Sequence, residues 1–246
     1  MFHLDIFEQI LKLNIGISQR DNEEMFRLLN TIHPLTLHRY KSGIEHNGWV
    51  VPHNWVIKKA LIKKEGHTLF DGTIHPLAVA GYSPSFSGRV SKLELDQHVF
   101  TRPELPDAYS FHCVNNYRPW ETFWGFTIPH NIYKNWTDGE YDIELETEYN
   151  DGEMIVGEIF HQGISEETIV FNAHTCHPTQ FNDDLAGVAV ILELFKWLKG
   201  RKTQYSYRAI FAPEHLGTVF YLSGLPKADV KKMKMGAFVE MVGIDL

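Results

Sequence analysis

The tightest constraint on this chain lies between residues 169 and 187. An apolar run, Ile169-Val170-Phe171-Asn172-Ala173, leads into His174-Thr175-Cys176-His177-Pro178 and then into Phe181-Asn182-Asp183-Asp184-Leu185-Ala186-Gly187. A short apolar run bounded by turn residues reads as a buried strand, and Leu185 to Leu198, closed by Gly200, reads as a helix. A buried strand feeding an apolar helix is the repeating unit of α/β folds, which place their sites at strand carboxyl ends. Ile155 to Phe160, Tyr207 to Phe211 and Gly236 to Val242 read as further buried strands, and Leu216 to Leu222 as a further helix. The expected fold class is therefore α/β, a mostly parallel central sheet with helices on both faces.

The rest of the chain has a different character. Phe2, Ile6, Ile10 and Leu13 recur at helical spacing, and Met25, Phe26, Leu28 and Leu29 follow a polar break, so two helices are expected before Leu37. Trp49-Val50-Val51 and Trp55 to Ile62, separated by Pro52, read as a pair of strands. Between Pro76 and Gly152 short aromatic and β-branched runs are punctuated by Pro and Gly, with no amphipathic helix of normal length. That segment reads as a small all-β insert, with Asp138-Gly139 and Asp151-Gly152 expected to close hairpins. The expected division is an α/β core over 1–75 and 153–246, and a β-rich insert over 76–152.

Composition narrows the partners. With 43% hydrophobic and 22% charged residues the chain can bury a core and is too apolar to stay disordered. A formal charge of -8 with no long basic stripe argues against nucleic acid as a partner. Two cysteines, Cys113 and Cys176, do not make a disulfide framework. Asp5 and Glu8 interrupt the apolar start, so no signal peptide is expected, and no run approaches the roughly 18 apolar residues of a membrane span. A cytoplasmic location, with no membrane partner, is the default expectation.

Three apolar runs end in groups that bind metals or move protons: His174 with the Asp183-Asp184 pair, Glu214-His215 after Phe211-Ala212-Pro213, and Glu240 after Phe238-Val239. An isolated Asp-Asp at a helix start is usually a capping and macrodipole feature, and His177 before Pro178 could be a turn residue. Three such endings together point further, because a charge beside a buried strand is costly unless it is used. Imidazole and carboxylate are the donors of a hydrolytic Zn²⁺, and loops leaving neighbouring strand ends can converge on one ion.

These residues, in this order, resemble a known family. His174-Thr175-Cys176, Asn182-Asp183-Asp184-Leu185-Ala186-Gly187, Glu214-His215-Leu216-Gly217-Thr218 and Phe238-Val239-Glu240-Met241-Val242-Gly243 are similar to the motifs of the co-catalytic zinc aminopeptidases of the bacterial leucyl aminopeptidase type. The chain resembles most their aminopeptidase-like bacterial branch, which carries a β-rich insert and is linked to polysaccharide-biosynthesis gene clusters. Gly48-Trp49-Val50-Val51-Pro52-His53-Asn54-Trp55 also looks like that branch. The resemblance implies one or two zinc ions, with His174 as first ligand, Asp183 as bridging carboxylate, Glu240 as the late acidic ligand and Glu214 as general base. His215 stands where the family has a second Glu ligand. Cys176 stands where it has an Asp that orients the first His. In the alternative register Glu214 is the ligand and no base remains.

The family's last ligand, a distal His, lies downstream of any position here, so the sequence reads as a fragment whose sheet edge is exposed unless a partner covers it. The expected function is that of a zinc-dependent aminopeptidase-like hydrolase acting on a peptide N-terminus or related amide, possible as a homo-oligomer. The expected site set is Glu214 as catalytic base with His174, Asp183, His215 and Glu240 on metal. The rival expectations are a catalytically degraded binding module keeping the fold, and a metal-free interaction domain.

Overall fold

A computed structural model describes residues 3–118 and 122–243. The chain divides into two compact units, residues 1–53 with 151–246, and residues 54–150.

The first unit opens with two helices, α1 (Leu4–Ile10) and α2 (Asp21–Ile32), then strand β1 (Thr36–Lys41) and the short pair β2 (Glu45–His46) and β3 (Trp49–Val50). Asn47 and Gly48 both take positive φ between β2 and β3, the geometry a two-residue hairpin turn demands. The chain then runs through the second unit: β4 (Asn54–Lys64), β5 (His67–Asp71), β6 (Phe86–Ser91), α3 (Lys92–Leu95), β7 (Val99–Phe100), β8 (Phe126–Thr127), α4 (His130–Tyr133) and β9 (Glu140–Asn150). It re-enters the first unit with β10 (Glu153–His161), β11 (Thr168–His174), α5 (Ala186–Leu198), β12 (Ser206–Ala212), α6 (Leu216–Gly224), α7 (Lys227–Lys232) and β13 (Met233–Phe238).

The core sheet of the first unit has the order β1-β10-β12-β11-β13. β11 runs parallel to β12 and β13, whereas β1–β10 and β10–β12 are antiparallel, so the sheet is mixed rather than mostly parallel. The expected helices do lie on both faces. On one, Phe7, Met25, Phe26, Leu29 and the α5 residues Val188, Ile191, Leu192 and Phe195 pack against Ile155, Ile159, Ala173, Ala209 and Phe211. Each of the Val, Leu, Ile, Phe and Met side chains contributes about 1.5–3 kcal/mol by leaving water. On the other face Tyr221 of α6 packs on Val156, Ile210 and Ala212. The strand expected over Gly236 to Val242 as buried is instead Met233–Phe238 and open to solvent, with Phe238 69% exposed, because it pairs with β11 on one side and is the edge of this sheet among the described residues.

The second unit is a four-stranded antiparallel sheet in the order β5-β4-β9-β6. β9 reads Glu140-Tyr141-Asp142-Ile143-Glu144-Leu145-Glu146-Thr147, and this strict alternation buries Tyr141, Ile143 and Leu145 while turning the acids outward. Lys59 and Lys63 of β4 meet Glu144 across the ladder. The unit starts earlier than the expected boundary at 76, because β4 is one of its two inner strands and pairs along β9 from Asn54 to Lys63. Neither expected hairpin forms: Asp151-Gly152 joins β9 to β10, which belong to different sheets, and Asp138-Gly139 follows α4. The hairpin that does form, β4 to β5, turns on Glu65-Gly66, both at positive φ.

Candidate metal and catalytic site

The site is assembled at the carboxyl ends of β11 and β12, which are neighbours in the sheet. Apolar residues hold both strands in the core, so the loops that follow are delivered side by side; the Thr175 amide donates to the Ala212 carbonyl at 3.1 Å and locks the two ends together. His174, Thr175, Cys176 and His177 leave β11 buried. After β12 comes Pro213-Glu214-His215, where His215 takes a positive φ of 55° ahead of α6.

Asp183 and Asp184, alike in sequence, have separate tasks. They sit in a distorted turn over Phe181–Leu185, and the peptide between them is cis. Asp183 faces the site: its Oδ1 lies 2.8 Å from His174 Nε2 and 3.6 Å from His177 Nδ1. Asp184 is turned into the protein, where Oδ2 accepts from the His174 amide at 3.1 Å and Oδ1 from the Gly187 amide at 3.2 Å. Burial pushes its carboxyl up to about 7, despite those hydrogen bonds, with the Glu240 charge adding to the rise. Asp184 therefore braces the loop, and Asp183 turns its carboxylate to the two imidazoles.

Glu214 completes the cluster on the β12 side. Its Oε2 lies 3.6 Å from His177 Nε2 and its Oε1 3.3 Å from His215 Nε2, while its amide donates to Cys176 Sγ at 3.3 Å. His215 is 64% exposed in its side chain and stacks on Trp49 with ring centroids 6.2 Å apart. Glu240 is exposed beyond the end of β13, near enough for its charge to act on Asp184. Of the residues expected on metal or in catalysis, His174, Asp183 and Glu214 are thus joined in a chain of polar contacts through His177, His215 joins through Glu214, and Glu240 is within electrostatic reach of Asp184.

Sequence reasoning passed over His177 as a turn residue. It is the residue that links Asp183 to Glu214, and the signal that could have found it is its place three residues after His174, ahead of a proline, in the same strand-end loop. Desolvation by burial, and after it the neighbouring His177, hold the His174 imidazole below its ordinary value. The neutral form is the one that binds metals. His174 Nδ1 is buried with no hydrogen-bond partner among the described residues. Two imidazoles, carboxylates and a thiol are donors that zinc accepts, and a buried ring nitrogen without a partner needs an acceptor of its lone pair or its proton, so the residues present fit such an ion.

The fold is an α/β domain of aminopeptidase-like architecture, as the solved structures it superposes on show. The chain matches, over residues 4–245, the family described as a domain of unknown function, DUF4910, and belongs to it. A protein of Clostridium acetobutylicum, provisionally described as a polysaccharide-biosynthesis protein with an aminopeptidase-like domain, is 30% identical over 97% of this chain and 54% of its own length. A crystal structure from the same organism, provisionally described as a peptidase, superposes with a TM-score of 0.82 at 30% identity, covering 97% of this chain and 56% of the other. This chain thus spans about half the length of those relatives. A zinc aminopeptidase from Bacillus subtilis superposes with a TM-score of 0.58 at 13% identity, covering 97% of this chain and 68% of the other, a likeness of fold alone. Among the described residues no helix is long and apolar enough to cross a membrane.

Proposed function

We propose that this chain carries the metal-binding part of a zinc-dependent, aminopeptidase-type hydrolase acting on a peptide N-terminus or related amide. The observation that carries the reading is the convergence of His174, His177, Asp183 and Glu214 at two adjacent strand ends, with distances of 2.8 to 3.6 Å between successive groups. His174 and Asp183 would hold the ion, with Glu240 and His215 as the further candidate donors. When bound, zinc supplies a Lewis acid for the scissile carbonyl and lowers the pKa of water towards about 7. Glu214 takes the proton from the attacking water and returns it to the leaving amine. The backbone around Asp184 keeps Asp183 and His174 in place while this happens.

Glu214→Gln tests the assignment in a protein extended to the length of the relatives. Turnover of aminoacyl amides is expected to fall by about 100-fold or more, the scale of a lost general base, with metal content unchanged. Equal turnover in that variant removes Glu214 from catalysis. A second reading, a binding module that retains the fold and its metal without turnover, is favoured by Cys176 and His215, which stand where the resembling enzymes carry carboxylates. Stoichiometric metal with no hydrolysis at full length would establish it.

A further inference from the structure

Cys176 is 2% exposed in the first loop of the site, and its sulfur already accepts a hydrogen bond from the Glu214 amide. One nitrogen of His174, one of His177 and the Cys176 sulfur all lie within 4.8 Å of one another, and all three side chains are buried. Asp183 Oδ1 adds a fourth donor, 2.8 Å from one of these imidazoles and 3.6 Å from the other. A tetrahedral ion with bonds of about 2.0–2.3 Å needs donors some 3.3–3.8 Å apart, so small side-chain rotations close the set.

We infer that Cys176 and His177 are themselves metal ligands, making a mixed site of two imidazoles, one thiolate and the Asp183 carboxylate. The inference rests on the reading that this cluster holds zinc, and it changes what the cluster prefers. A site of carboxylates and imidazoles accepts hard ions such as Mn²⁺ along with zinc, whereas a thiolate selects softer ones. The thiol loses its proton to solvent on binding, and the sulfur lone pair forms the metal bond. One observation favours this over a structural thiol: Cys176 sits beside two buried imidazoles, one of them 2.8 Å from the Asp183 carboxylate, rather than in an apolar core. The loop gives His174, Cys176 and His177 from one four-residue stretch, so a single strand end supplies three of the four donors.

The experiment is a titration of the chelator-stripped 246-residue chain with Co²⁺ under reducing, oxygen-free conditions, read by absorption. A thiolate-to-cobalt charge-transfer band in the near ultraviolet, saturating near one equivalent, is expected. It should vanish in Cys176→Ser and persist in Cys113→Ser, which removes the only other cysteine. Zn²⁺ affinity by competition with a chromophoric chelator should fall about 100-fold or more in Cys176→Ser, and His177→Gln should weaken it as well. Stoichiometric cobalt with no such band would overturn the thiolate ligand and leave the zinc reading intact. A band that survives in Cys176→Ser would do the same. A chain that takes up neither Co²⁺ nor Zn²⁺ would sink both. Persistence of the band in Cys113→Ser, where Cys176 is the one cysteine left, decides the matter even if Cys176→Ser fails to fold.

Discussion

Gly187 is the position at which stability and site geometry are most tightly coupled. It lies in the first turn of α5, where alanine is ordinarily the better residue by up to about 1 kcal/mol. Yet a Cβ added there would stand 1.7 Å from the Val239 carbonyl oxygen and 2.5 Å and 2.8 Å from the two Asp184 carboxylate oxygens. The nearest of these is backbone and cannot rotate aside, so Gly187→Ala must drive the 239–243 segment or the Asp184 turn away by more than about 1 Å to reach ordinary contact. Overpacking of this kind costs about 1–3 kcal/mol. Disturbing the Val239 amide bond to Asn172, 2.9 Å, or the Asp184 bonds adds about 1 kcal/mol each. After the helix gain is subtracted, a loss of about 2–4 kcal/mol is expected, accompanied by weaker metal binding because Asp183 and Glu240 flank the displaced backbone. Urea unfolding followed by tryptophan fluorescence gives the first quantity, and cobalt titration the second. A variant as stable as the parent or more so, with unchanged metal affinity, would show that no such close approach exists.

Two further outcomes test other parts of the molecule. Arg208 and Glu158 form a largely buried ion pair, with His38 Nε2 2.7 Å from the same carboxylate and Arg208 Nη1 donating to the Tyr221 hydroxyl at 2.6 Å, so Arg208→Met should cost about 3–5 kcal/mol. Adding Glu158→Gln should restore part of it, and additive losses in chemical denaturation would contradict the pairing. In the second unit burial holds the imidazoles of His75 and His112 below their ordinary 6.5. A depressed histidine contributes stability that is complete above about 6.5 and lost as pH falls through the folded value. The melting temperature of that unit should therefore drop on acidification below pH 6.5, and flat behaviour down to pH 5 would argue against their burial.

How much was legible can be judged residue by residue. The strand, histidine, acid pair and helix between 169 and 187 were readable because a buried strand and a buried helix each leave a periodicity, and the polar residues between them have nowhere else to go. From the residues alone Asp183 and Asp184 could not be told apart, and only the family resemblance singled out Asp183, because which of them turns inward depends on the backbone of the turn and on the Gly187 and His174 amides, neither of which has a sequence signature. His177 was hidden for a similar reason: a histidine before proline has the same local pattern in a turn and in a site. The antiparallel half of the sheet was missed because β10 looks the same from its sequence whichever way its partner runs. Turn dipeptides were ambiguous too. Glu65-Gly66 closes a hairpin, while the stronger signals at Asp138-Gly139 and Asp151-Gly152 lie between elements that never pair.

The pairing of Asn54 with Asn150 means that the second unit begins and ends on the same rung of one ladder. Its two termini are separated by about one strand spacing, roughly 4.8 Å, a gap that a tight turn could close as well. To the polypeptide that hosts it, the 54–150 unit is therefore topologically no larger than a hairpin loop. The entropy of holding its ends together is borne by the unit's own β4–β9 ladder rather than by the site-bearing sheet. Such a module can be lengthened, exchanged or diversified by evolution with little effect on the placement of His174 and Glu214, while a single residue inserted between β11 and α5 would shift them directly.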